Sequence, residues 1–172
     1  MFSGLALATA GVSVLFIEAT GMNVARVLVS LLVALSGLFS FIFSRANAKV
    51  NVLYYYYKIK GGVCILFSIF WLVVTLDIKG LLYSLSLFTL SVCLFEVVYE
   101  FILLNVNLNV KWVVTLGRFL VGFLGVMNAL VIFSLSPADH LSKLMLTGVV
   151  LILLGIVVVL SSLRVRLGEL IP

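Results

Sequence analysis

Apolar residues run through this chain in six long stretches, and the polar positions gather between them. The stretches cover 2–18, 24–43, 60–77, 81–104, 112–135 and 143–163. Helices over these stretches cross, or nearly cross, a hydrocarbon core about 30 Å thick, with the first and third the shortest. Inside lipid a segment must satisfy its own backbone groups, so apolar runs of this length predict helices. The predicted fold is all-α: an integral membrane bundle of six transmembrane helices in a single domain, 1–172. No basic residue precedes the first run and a second follows almost at once, so the first reads as a span rather than a cleaved signal.

Small residues repeat along these runs. Gly11, Ser68 and Gly125 fall 57 positions apart in the odd-numbered runs. In the even-numbered runs a pair seven apart recurs: Ser30 with Gly37, Ser86 with Cys93, and Gly148 with Gly155. The last pair is displaced by about five residues, which the longer tip "SLSPADHLSK" accounts for. Seven positions return to nearly the same helix face. Lipid tails compete with leucine for leucine, so spans associate through close packing, and small residues let backbones approach. The pattern predicts three repeated helical hairpins, at roughly 1–48, 58–105 and 111–164.

Composition and charge sharpen this picture. With 65% hydrophobic and 10% charged residues the chain is not composed as a soluble domain. The net charge of +5 invites nucleic acid, but most basic residues flank the spans and read as topology signals and headgroup contacts. The 44–60 connection holds Arg45, Lys49, Lys58 and Lys60, the 105–112 connection holds Lys111, and the tail holds Arg164 and Arg166. The other connections balance Glu18 with Arg26, Asp77 with Lys79 and Asp139 with Lys143. The basic excess thus lies on one side, which predicts that both termini are cytoplasmic. The expected partner is the lipid bilayer, with a second copy or another membrane protein as further candidates. The run "YYYYK", Tyr54 to Lys58, fits an aromatic belt at the interface.

The segment "GRFLVGFLGVMNALVIFSLSPADHLSKLMLTGVVLILLGIVVVL" resembles the repeat unit of the HdeD-like family of small six-span bacterial membrane proteins. Arg118, Gly125, Pro137, Gly148 and Gly155 stand at its basic, glycine and tip-proline positions. In the second repeat Lys60, Ser68 and Cys93 take these places without the proline, and the first keeps Gly11 and Gly37 alone. The resemblance implies a protein of the bacterial cytoplasmic membrane linked to acid or stress resistance, with no enzymatic chemistry and no catalytic residues to carry over.

One stretch breaks the apolar pattern. "CLFEVVYEF" carries Glu96 and Glu100 one turn apart inside the fourth run. Ser86, Thr89, Cys93, Glu96 and Glu100 form one stripe at three- and four-residue steps, and Thr115, Arg118, Gly122, Gly125 and Ala129 form another on the fifth run. A short connection makes the two runs antiparallel, which levels Glu100 with Arg118 and sets Glu96 a turn deeper. An unpaired carboxylate there is costly. The expectation is a Glu100–Arg118 pair, with Glu96 either protonated or facing a polar cavity. Such a stripe serves as polar glue between spans or as a proton- or ion-responsive path, and Asn128 in the fifth run reads as an interhelical hydrogen bond.

No catalytic constellation is present. One histidine, His140, and two separated cysteines, Cys64 and Cys93, make no zinc or haem set, and no phosphate-binding glycine loop occurs. The chain is expected to be no enzyme and to need no cofactor or metal.

Overall fold

A computed structural model describes residues 1–46, 51–74, 77–105, 112–134 and 140–166. Among these residues every regular element is a helix: α1 (Phe2–Leu15), α2 (Ile17–Thr20), α3 (Met22–Ala46), α4 (Asn51–Val73), α5 (Ile78–Asn105), α6 (Trp112–Ser134) and α7 (His140–Arg166). Five segments are long and apolar enough to cross a membrane: Met22–Ala46, Leu53–Val73, Ile78–Ile102, Thr115–Phe133 and His140–Leu160. Large apolar side chains face outward all around the bundle, among them Ile42, Leu66, Val73 and Phe123. A water-soluble protein does not expose apolar surface so continuously, and the chain is a multi-pass membrane protein.

The first expected span does not run unbroken over 2–18. Helix α1 has 14 residues, about 21 Å, and stops where Phe16 takes φ −94° and ψ 19°. After this bend Ile17 is buried while Glu18, Ala19 and Thr20 are exposed, so the bend turns one apolar residue inward and an acid outward. Gly21, at φ +80°, then reverses the chain into α3 through a conformation that side chains disfavour. Helix α4 also departs from expectation, beginning at Asn51 rather than near 60. Leu53, Tyr57, Lys60, Cys64, Ser68 and Trp71, three or four apart, are all buried, and this single inward stripe continues the helix through the tyrosine run.

The closest backbone approaches join α1 to α7 and α3 to α4. A Cβ placed on Gly11 would lie 2.6 Å from the Gly148 carbonyl oxygen, and one on Gly155 would lie 2.6 Å from that of Gly4. Gly37 and Gly61 approach reciprocally, each Cβ 2.9 Å from the other's carbonyl oxygen. On the same pair of helices Ser68 Oγ donates to the Ser30 carbonyl at 2.8 Å. Between α5 and α6, a Cβ on Gly125 would meet Cys93 Sγ at 2.5 Å, and Gly122 faces Val97. Hydroxyls join α1 to α3, with Ser3 Oγ 2.8 Å from Ser36 Oγ and 3.2 Å from Ser40 Oγ. The remaining interior is aliphatic and aromatic, with Leu7, Val33, Leu85 and Leu151 buried and Trp71 set edge-on to Phe88 at 5.3 Å.

Candidate functional site: a buried charge cluster

Three helices deliver four charges to one place near the end of the bundle where α4 and α6 begin. Glu96 and Glu100 come from the last third of α5, Arg118 from the second turn of α6 and Lys60 from the third turn of α4. Exposure is 1% for Lys60 and Glu96, 0% for Glu100 and 4% for Arg118. Antiparallel packing of α5 on α6, set by the Cys93–Gly125 contact, brings the carboxylates level with the guanidinium.

The partners are shared so that every carboxylate oxygen is engaged. Glu100 Oε2 accepts from Arg118 Nη1, and Oε1 accepts from the Thr115 hydroxyl. Glu96 Oε1 accepts from Lys60 Nζ and from the Tyr56 hydroxyl, and Oε2 lies 3.5 Å from Arg118 Nε. Two anions meet two cations, so the site carries no formal net charge. In a low-dielectric interior a fully partnered network is strongly held, whereas one missing partner leaves a costly bare charge.

Aromatic rings enclose the charges. Tyr56 and Tyr99 stack with centroids 3.9 Å apart and planes 16° apart. The Arg118 guanidinium sits over Tyr99 at 4.7 Å, and Lys60 Nζ lies 5.7 Å from the Tyr56 ring. Both cations therefore also face the negative faces of π systems.

Glu96, Glu100 and Arg118 are thus brought together, and Glu96 meets two cations and a phenol. Lys60 and Tyr56 enlarge the cluster beyond its sequence expectation. Lys60 counts by charge as a residue of the 44–60 connection, yet it lies inside α4 and is buried. The tyrosine run is only partly a belt, since Tyr55 points outward while Tyr56 and Tyr57 turn inward. The signal that locates Lys60 is the stripe Leu53, Tyr57, Lys60, Cys64, whose three- and four-residue steps put it on one helix face.

The other singled-out residues fall along helix contacts. Gly11 with Gly148, Gly155 with Gly4, and Gly37 with Gly61 lie at close approaches, Ser68 bonds to α3, and Cys93 packs on Gly125. Asn128 and Thr147 make a hydrogen bond of 3.4 Å between α6 and α7. Lys49, Lys111, Pro137 and Asp139, and the side chains of Arg164 and Arg166, lie outside the described residues. His140 is the first residue of α7 and is half-buried. Among the described residues no three His, Cys, Asp or Glu side chains converge as a metal site would require, and both cysteines are free and buried.

The Tyr56 bond can be tested directly. Tyr56→Phe keeps the ring stack and removes a donor to a carboxylate, so stability falls by about 1.5–3 kcal/mol. Tyr55→Phe, on an outward-facing ring, leaves the unfolding midpoint in mixed micelles unchanged, and equal midpoints for the two variants would show that the Glu96 contact contributes nothing.

No family model, curated protein or solved structure matches this chain.

Proposed function

We propose that this is a non-enzymatic protein of a bacterial cytoplasmic membrane, similar to HdeD-like proteins, that supports envelope resistance to acid or related stress. In this reading α1 and α2 together supply a sixth span, and the chain forms three hairpins related by an approximate threefold axis. The recurrence of close contacts supports it: the second span meets the third, the fourth meets the fifth and the sixth meets the first, each through small residues. The excess of Arg and Lys in alternate connections supports cytoplasmic termini.

A single observation carries the non-conducting reading. The four charges neutralise one another within the bundle, and the next residues on the same faces of α5 and α6, Val92, Cys93 and Val121, are buried and uncharged, with Thr89 bonding back to its own helix. A proton or solute path requires polar groups in sequence from both faces. Here the cluster serves as an internal tie between spans, and resistance follows from the bundle's effect on the bilayer or on a membrane partner.

The experiment is proton flux in proteoliposomes under an imposed pH gradient, for the native chain and for Glu96→Gln and Glu100→Gln. Flux equal to that of empty liposomes is expected of all three. Flux in the native chain that disappears in either variant would instead identify a small proton-conducting transporter or channel using Glu96, Glu100 and Arg118.

A further inference from the structure

A cavity of about 230 Å³ opens at the end of the bundle where α1 begins, between α1, α3, α4 and α7. We propose that it binds an anionic phospholipid, with an acyl chain in the cavity and the phosphate headgroup held by Arg45 and Lys58. The inference rests on the membrane location of the chain and is independent of its role in stress resistance.

The cavity selects a hydrocarbon tail. Phe2, Phe39, Phe43 and Tyr57 supply its walls, with Phe2 and Phe39 ring centroids 5.5 Å apart and those of Phe43 and Tyr57 4.6 Å apart. Ser3 and Ser40 also line it, but their hydroxyls already bond to each other, and Ser3 bonds to Ser36 as well. The two serine hydroxyls are thus satisfied within the protein, and the mainly apolar lining favours an apolar occupant. Ile42, 63% exposed, and Ala46 stand at the mouth, so a chain can enter sideways from the bilayer.

The rim selects the headgroup. Along the chain Arg45 is next to the lining residue Ala46 and Lys58 is next to the lining residue Tyr57; both basic residues are exposed, with Lys58 Nζ 3.4 Å from the Tyr54 hydroxyl. The acids described at this end, Glu96 and Glu100, are buried and paired, so they do not offset the rim. Exposed cations near an apolar slot attract a lipid of net negative charge more strongly than a zwitterionic lipid, whose phosphate is offset by its own cation.

The test is photolabelling of the full chain in nanodiscs by phosphatidylglycerol carrying a diazirine in its acyl chain, against phosphatidylcholine with the same chain. The expected result is labelling concentrated on the first turn of α1 and the last two turns of α3, with phosphatidylglycerol favoured. Arg45→Gln and Lys58→Gln each reduce that preference about five-fold. Ile42→Trp closes the mouth and abolishes the labelling, while its unfolding midpoint matches that of the native chain. Even labelling of all outward faces, including Leu66 and Phe123, would overturn the proposal. So would equal labelling by the two lipids, extraction of bound free fatty acid in place of phospholipid, or chain-to-chain crosslinks at Ile42.

Discussion

Arg118→Met lowers the stability of the folded bundle by about 3–5 kcal/mol, because it strips a shared cation from two buried carboxylates. Among the described residues Glu100 then keeps the Thr115 hydroxyl, and Glu96 keeps Lys60 and Tyr56, so these groups hold one uncompensated negative charge. The guanidinium's contact with the Tyr99 ring is lost as well. Adding Glu100→Gln to Arg118→Met restores neutrality and recovers most of the loss. The measurement is reversible unfolding in mixed micelles followed by tryptophan fluorescence. A double variant no more stable than Arg118→Met alone would show that the two residues are not coupled.

Gly11→Leu has the next largest expected effect, for a different reason. Its Cβ alone would come within 2.6 Å of the Gly148 carbonyl oxygen and 2.9 Å of the Ile152 backbone nitrogen. Backbone atoms cannot swing aside as a side chain can, so α1 must separate from α7, at a cost at or above the top of the 1–3 kcal/mol range for overpacking. Gly62 is the contrasting position, because a Cβ there meets nothing within 4 Å. Gly62→Ala is expected to stabilise by about 0.5–1 kcal/mol, through helix propensity alone. If Gly11→Leu unfolds at the native midpoint, close α1–α7 packing is not what holds the two ends of the chain together.

Helical periodicity made part of this legible in advance. Glu100 and Arg118 could be paired from their stripes and the short connection, because antiparallel neighbours leave little freedom in depth. Lys60 was not legible in the same way. A lysine at the edge of an apolar run looks like a topology marker, and only the continuous inward stripe from Leu53 to Trp71 shows that it lies well inside a helix. Tyr56 was concealed by its neighbours, since four consecutive tyrosines point in all directions around a helix and sequence alone does not say which faces a carboxylate. The bend at Phe16 left no such trace, as no glycine or proline marks it.

The charge cluster also bears on how the chain enters a membrane during synthesis. Lys60 and Glu96 lie 36 residues apart and can meet as soon as α4 and α5 are both made. Glu100 must wait for Arg118, 18 residues later. At translation rates of about 5–20 residues per second, that leaves the carboxylate without its cation for about one to four seconds. During that interval α5 carries a bare carboxylate and is poorly suited to enter lipid, a cost that pairing with Arg118 on α6 removes. The same residues that hold three helices together in the finished protein therefore favour an order of assembly in which α5 and α6 enter the bilayer as a unit.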